Sequence, residues 1–472
     1  MARICVVGAG PAGITFAARM AQLGHQVSVI ERARFPRARL GESLSPGTMP
    51  LLRAANLHET IEAADFPRVR RVLVRWADGE QWRDDPMAQG LLVDRGRFDA
   101  CLLERASADG VTVYQPASIV ERAWRESHWQ ITIDCRGCRT QIDADFVADA
   151  GGRRDASAQP RTQTGVATLA LYAYWRGASL PTAPRIEAGD DAWFWGVPLP
   201  EQTYNTLAFV DPQSFRLLPG SSLAERFFTL IGRSSLMPDC RSAQPVGAVR
   251  AIDATPYLAD DCVGPHSIRL GDAALAIDPI SSSGVQKAIA SALSGAIVAN
   301  TVLRRPQSTD AALSFYRSHL REASEQHRRW AAGHYATVAA KNGHPFWRER
   351  AAGDGQAALP PAPAPVDAAA MAVMPVTLSR DAALVRTPCL DGEFVAVAEA
   401  LHHPRLERPV VYLGGWELAP LLRNLPAGQT PLQIAQSWSN LMPIGSGLAI
   451  AGWLVSHGVL VRPQSRGGAV PW

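Results

Sequence analysis

The 472-residue chain contains no apolar run of the roughly 18 uncharged residues that a membrane-spanning helix needs, and its N-terminus has no basic region leading into a cleavage site. Neither a helical anchor nor a secretory leader is expected, which makes the cytoplasm the default location. Cysteine is sparse. The seven residues lie scattered at Cys5, Cys101, Cys135, Cys138, Cys240, Cys262 and Cys389, a pattern that suits a reducing compartment better than a disulfide framework. Cys135 and Cys138 form a C-x-x-C with no second pair. Between "WQITID" and "TQIDADFVADA" they read as the turn of a β-hairpin, and no metal site is expected. An excess of one charge is also missing: Lys+Arg 47 against Asp+Glu 44 leaves +3, so neither nucleic acid nor a membrane surface is an expected partner. Lysine is scarce, with Lys287 and Lys341 the ones near the motifs described below.

What is present begins with "VVGAGPAGITFAARMAQLGHQVSVIER", residues 6–32. An apolar stretch, a three-glycine turn, an Ala-rich helix and a second apolar stretch ending in an acid fill the ~30 residues of one βαβ unit. Gly8, Gly10 and Gly13 fit G-x-G-x-x-G. The first permits a sharp turn, the second lets the backbone approach a pyrophosphate, and the third lets helix pack on strand. The helix N-terminus then faces the phosphates, and Glu31 can accept from a ribose hydroxyl. This much serves NAD or FAD alike. Far downstream, "RLGDAALAIDPISSSGV" puts Asp272 at a strand end and Gly284 before a long helix. A second acid and a second helix start suit the longer FAD, whose ribityl chain and ring extend past the pyrophosphate.

The organisation that follows is α/β: a Rossmann-type FAD-binding domain in two pieces, 1–164 and 256–350, with an antiparallel β-rich substrate domain inserted at 165–255. A Pro/Ala-rich linker at 351–370 leads to a small, mainly helical C-terminal domain at 371–472. Large aromatics concentrate in the insert, in "LALYAYWRG", "WFWGVPL" and "YNTLAFV".

Together "GAGPAG", Glu31-Arg32, "GESLSPG", "DRGRFDACLLERA", "GDAALAIDP" and "SSSGV" resemble the flavoprotein monooxygenases that include the flavin-dependent halogenases. The resemblance runs through roughly residues 1–350. It implies that Gly8, Gly10, Ala12, Gly13, Glu31 and Arg32 hold the AMP half of FAD, and that Glu42 and Ser43 lie near the flavin. Asp272 would contact the ribityl chain, Gly284 and Val285 would offer amides to the ring's pyrimidine edge, and Arg97 and Pro279 would complete the shell. Trp193, Trp195 and Pro198 resemble the halogenases' W-x-W-x-I-P signature, with valine for isoleucine, and would line the passage to the substrate. The family's halogenating lysine, however, has no counterpart. In "DFPRVRRVLVRW" its place is taken by Val69, and no arginine substitutes as an amine because guanidinium stays protonated and delocalised.

"GESLSPGTMPLL", "DPISSSGVQKAIASAL" and "HPFWRER" bring the chain nearest to the flavoprotein monooxygenases of tryptophylquinone cofactor biogenesis, the quinohemoprotein amine dehydrogenase maturation type. The function this implies is hydroxylation of an aromatic ring through a flavin C4a-hydroperoxide, on a tryptophan side chain of a partner polypeptide. The alternative is halogenation of an aromatic small molecule or carrier-bound substrate. Arg68, Arg70, Arg71 and Arg75 are candidates for a basic rim facing the partner. No second G-x-G-x-x-G is present, so electrons come from NAD(P)H docking directly or through a separate flavin reductase. No catalytic side chain is assigned.

Overall fold

The computed structural model describes residues 1–37, 40–85, 87, 89–153, 160–177, 179–352, 374–423 and 425–463. The expected linker therefore lies, from 353 to 370, outside the described residues. The chain divides into two compact units, Met1–Asp354 and Gly355–Trp472.

In the first unit, the apolar run "RICVV" forms the strand Arg3–Val7, and the "PAGITFAARMAQ" run forms the helix Pro11–Gln22. Proline at its first turn costs no hydrogen bond there. Gln26–Ile30 returns parallel to the first strand, with Ile4 beside Val27 and Val6 beside Val29. These strands belong to a six-stranded sheet that also holds 112–114, 146–149, 263–264 and 267–269. Residues 146–149 and 267–269 pair side by side, which joins the two halves of the interrupted domain. A three-stranded antiparallel meander, Ala117–Arg125, His128–Cys135 and Cys138–Ala144, packs Ile131, Ile133 and Ala144 against Cys5 and Val147 of the parallel sheet. Cys135 stands directly opposite Cys138 across a turn at Arg136 and Gly137, both at positive φ, as a two-residue hairpin turn demands.

The insert is a seven-stranded sheet that the sequence reading bounded too narrowly, because the hairpin Arg71–Trp76/Gly79–Asp84 joins its edge beside Arg185–Ala188. Alternation along Ala192–Leu199 sends Phe194 to one face, into a core with Tyr204, Phe227 and Leu230, and Trp193 to the other. The helix Leu223–Ile231 covers the first face, its cap Ser222 accepting from the Glu225 amide. The second face meets the flavin-domain side of the unit, where the helices Thr309–Ala339 and Pro345–Ala351 present Tyr335, Phe346 and Trp347. Arg71 and Arg75 stand opposite Asp84 and Glu80 in this hairpin, so the expected basic rim is charge-balanced there.

The second unit joins its helices, Leu418–Arg423, Pro431–Ser437 and Ile444–Ser456, to a long hairpin, Ala383–Asp391 with Phe394–His402. Its core gathers Leu401, Leu418, Ile434, Trp438, Ile450 and Leu454. Among the described residues no helix is long and apolar enough to cross a membrane.

Candidate active site

The glycine turn is shaped by crowding at two of its glycines and by space at the third. Gly8 sits at φ +96, and a Cβ there would lie 2.6 Å from the Ala150 carbonyl oxygen; a Cβ on Gly13 would lie 1.9 Å from the Gly8 oxygen. Nothing but hydrogen fits at either. At Gly10 the nearest atom a Cβ would meet is 3.9 Å away, on the Arg37 side chain, so the backbone faces an open space where a phosphate can approach. The first amides of the helix Pro11–Gln22 look into that space.

Glu31, at the end of the second strand, is 2% exposed. Its carboxylate accepts from the Ala9 amide at 2.9 Å and the Ala33 amide at 2.8 Å, and pairs with Arg37 at 3.3 Å. It therefore buttresses the glycine loop. Arg32 is exposed and turned to solvent. Arg37, which the sequence reading missed, is the cation beside the cradle.

The distant motif converges on the same place. A Cβ on Gly271, at φ +57, would lie 2.9 Å from the Ala12 methyl, which brings "GDA" against the first helix. Asp272 pairs with Lys287 at 2.6 Å and with Arg153 at 3.5 Å. Burial pushes the Asp272 carboxyl up, but the two cations outweigh it and hold it below the usual carboxylate range. Burial likewise lowers Lys287. Asp278 caps the turn at Pro279 by accepting from the Ile280 amide, and burial raises its carboxyl despite a 3.0 Å hydrogen bond donated by Tyr335. Ser282 follows in the left-handed region, and the helix Gly284–Arg304 begins with Gly284 exposed and no atom within 4 Å of its Cβ position. The amides of Gly284 and Val285 belong to the first turn, which has no acceptor of its own.

The loop after Gly41 seals the third side. Ser45 donates to Gln286 at 2.6 Å, and a Cβ on Gly41 would lie 3.7 Å from Val285. Ser43 pairs with Leu92 on a short strand, and Glu42 is buried at 4% exposure, held by Tyr174, Asn205 and the Gly41 amide. Arg97 does not reach this site. Its guanidinium donates to the Ala64 carbonyl and lies over Phe66. The arginine facing inward is Arg95, buried, paired with Asp99 and donating to the Leu40 carbonyl. The i, i+4 spacing of Arg95 and Asp99 was the available signal.

On the large sheet, register orders the facing residues into rows. Ala170, Phe209 and Trp193 form one, Tyr172, Leu207 and Trp195 the next, and Tyr174, Asn205 and Val197 the third. Trp193 stacks on Phe209 at 3.7 Å and 9°, is 2% exposed, and is closed in with Tyr335 and Trp347. It is core, not passage wall. Trp195 and Tyr172 in the middle row are only half-buried. Pro198 is also half-buried, near the strand end opposite Tyr204.

Residues 1–174 match the family model described as an FAD binding domain. Tryptophan 2-halogenase from Chondromyces crocatus is 29% identical over 66% of this chain and 64% of its own length, so the chain spans a little under two thirds of that relative. The solved structure of the peptidyl tryptophan dihydroxylase QhpG, described as essential for tryptophylquinone cofactor biogenesis, is similar over 97% of this chain and 99% of its own, with 28% identity and a TM-score of 0.76. The flavin-dependent halogenase CmlS shares the fold over 100% of this chain and 98% of its own, at 20% identity and a TM-score of 0.79. With the glycine cradle, the second helix start and these likenesses together, the chain is a flavin-dependent oxidoreductase that resembles the halogenases and their hydroxylating monooxygenase relatives.

Proposed function

We propose that this protein is an FAD-dependent monooxygenase that hydroxylates an electron-rich aromatic ring, a tryptophan side chain in a partner polypeptide. The observation that carries the reading is the state of its lysines. Lys287 and Lys341 are the only two in the chain. Lys287 is buried in its ion pair with Asp272, and Lys341 is 62% exposed at the surface, bound to Asp78 and the Ala77 carbonyl. Val69, where the resemblance calls for the halogenating lysine, is a buried strand residue opposite Gly90. No amine therefore stands ready to take up an oxidised halide. The end-to-end likeness to a peptidyl tryptophan dihydroxylase supports the same reading.

The residues present fit FAD. Gly10 leaves room for a pyrophosphate, Glu31 and Arg37 would hold the ribose, Asp272 would face the linking chain, and the first-turn amides of Gly284 and Val285 would serve acceptors of the ring. When bound, FAD supplies the activation of dioxygen. The chain's own part is to orient the ring and exclude water. The middle row of the sheet, Tyr172 and Trp195, offers an aromatic surface between the closed Trp193 row and the Glu42 loop. Electrons come from NAD(P)H directly or through a flavin reductase, since the glycine motif at Gly8–Gly13 is the chain's only one of its kind.

Halogenation is the second reading, favoured by curated relatives such as the tryptophan 2-halogenase. Incubating the reduced FAD-loaded protein with a tryptophan-containing peptide, dioxygen and bromide separates the two. Oxygen gain that is independent of bromide supports the monooxygenase; a brominated product contradicts it.

A further inference from the structure

Glu42 is joined to the large sheet by side chains more than a hundred residues away in sequence. The Tyr174 hydroxyl donates to Oε1 at 2.8 Å, the Asn205 amide donates to the same oxygen at 3.1 Å, and the Gly41 amide donates to Oε2 at 3.0 Å. Asn205 is fully buried, and its Oδ1 has no donor. A buried amide is costly to place without complete satisfaction, so its presence on an otherwise apolar face calls for a reason beyond packing. On its other side the Glu42 loop grips the second helix start: Ser45 donates to Gln286, and Gly41 lies against Val285.

We propose that Tyr174 and Asn205 are positioning residues that latch the cofactor loop, through Glu42, to the sheet that carries the substrate surface. Tyr174 lies edge-on to Tyr172, at 6.0 Å and 89°, so a ring settling on Tyr172 presses directly on one arm of the latch. The latch transmits that contact to residues 41–48 and so to the amides of Gly284 and Val285. The inference rests on FAD filling the glycine cradle and is independent of whether the product carries oxygen or halogen.

The test uses full-length protein stripped of flavin and titrated with FAD, with flavin fluorescence giving affinity and the visible absorption band reporting the ring's surroundings. Tyr174→Phe and Asn205→Leu are each expected to weaken FAD about 5-fold, the equivalent of one lost net hydrogen bond, and to shift the band. Glu42→Gln keeps an acceptor for Tyr174 and Asn205 but sets its NH2 against the Gly41 amide, so it is expected to bind FAD less tightly than the parent and more tightly than Glu42→Leu. Adding Tyr174→Phe to Glu42→Leu costs nothing further, because the two share one interaction. Unchanged affinity and an unchanged band in Tyr174→Phe overturn the latch, even if the apoprotein melts lower, since that is the signature of packing alone. Should Asn205→Leu fail to fold, Tyr174→Phe decides.

Discussion

Gly10 and Gly13 sit three residues apart in one turn and respond to substitution for different reasons. Glutamate at Gly10 fills the open space before the first helix and places a charge where the pyrophosphate would lie, so the folded variant is expected to purify colourless. Alanine at Gly13 collides with the Gly8 carbonyl at 1.9 Å, so that variant is expected to lose the fold itself, seen as lost soluble yield or a collapsed melting transition. A yellow Gly10→Glu protein would contradict the phosphate assignment. The two tryptophans divide in the same way. Trp193→Ala removes a stacked, fully closed indole and is expected to cost about 3–5 kcal/mol of stability in a denaturant melt. Trp195→Ala leaves a half-buried edge, so stability and flavin content should hold while handling of the aromatic substrate changes. Glu42 adds a pH dependence. Burial raises its carboxyl above the unfolded value despite hydrogen bonds from Tyr174 and Gly41 and the field of Arg95. The fold thus moves Glu42 toward its neutral form relative to the unfolded chain, and stability falls as pH rises from the unfolded carboxylate range, near 4.3, through the raised folded value. Glu42→Gln should flatten that part of a stability-against-pH curve, and an unchanged slope would contradict the raised carboxyl.

Among the elements, periodicity and capping made some legible and left others hidden. The βαβ opening was readable because its apolar runs, glycines and terminal acid act within one short segment. The hairpin at Cys135 and Cys138 was equally local. The edge hairpin 71–84 falls outside the bounds read for the insert, since its pairing with Arg185–Ala188 spans more than a hundred residues and leaves no local mark. The same reason hides Tyr174, Asn205 and Arg153, whose roles exist only once distant strands are in register. Arg97 and Arg95 show the cost of reading a motif without its geometry: two residues apart on one helix, they point to different surroundings. The helix Gly284–Arg304 supplies a further prediction. Lys287→Met removes the nearest cation beside Asp272 and leaves that half-exposed carboxylate with Arg153 at 3.5 Å, which is expected to lower stability in chemical denaturation. Pairing Lys287→Met with Asp272→Asn should recover most of that loss.

At the scale of the whole molecule, one cradle is assembled from segments at opposite ends of the first unit, and a sheet inserted between them carries the proposed substrate surface. The composition is what favours the proposed oxygenation over halogenation at that site. A chain with two lysines, one locked to Asp272 and one at the surface, keeps no amine for an oxidised halide. The most direct measurement is mass spectrometry of a tryptophan-containing peptide after turnover with FAD, a reductant and dioxygen, in buffer with and without chloride and bromide. The predicted result is a peptide heavier by oxygen alone, in equal yield in all three buffers. A product bearing the chlorine or bromine isotope pattern, formed only when halide is supplied, would contradict it.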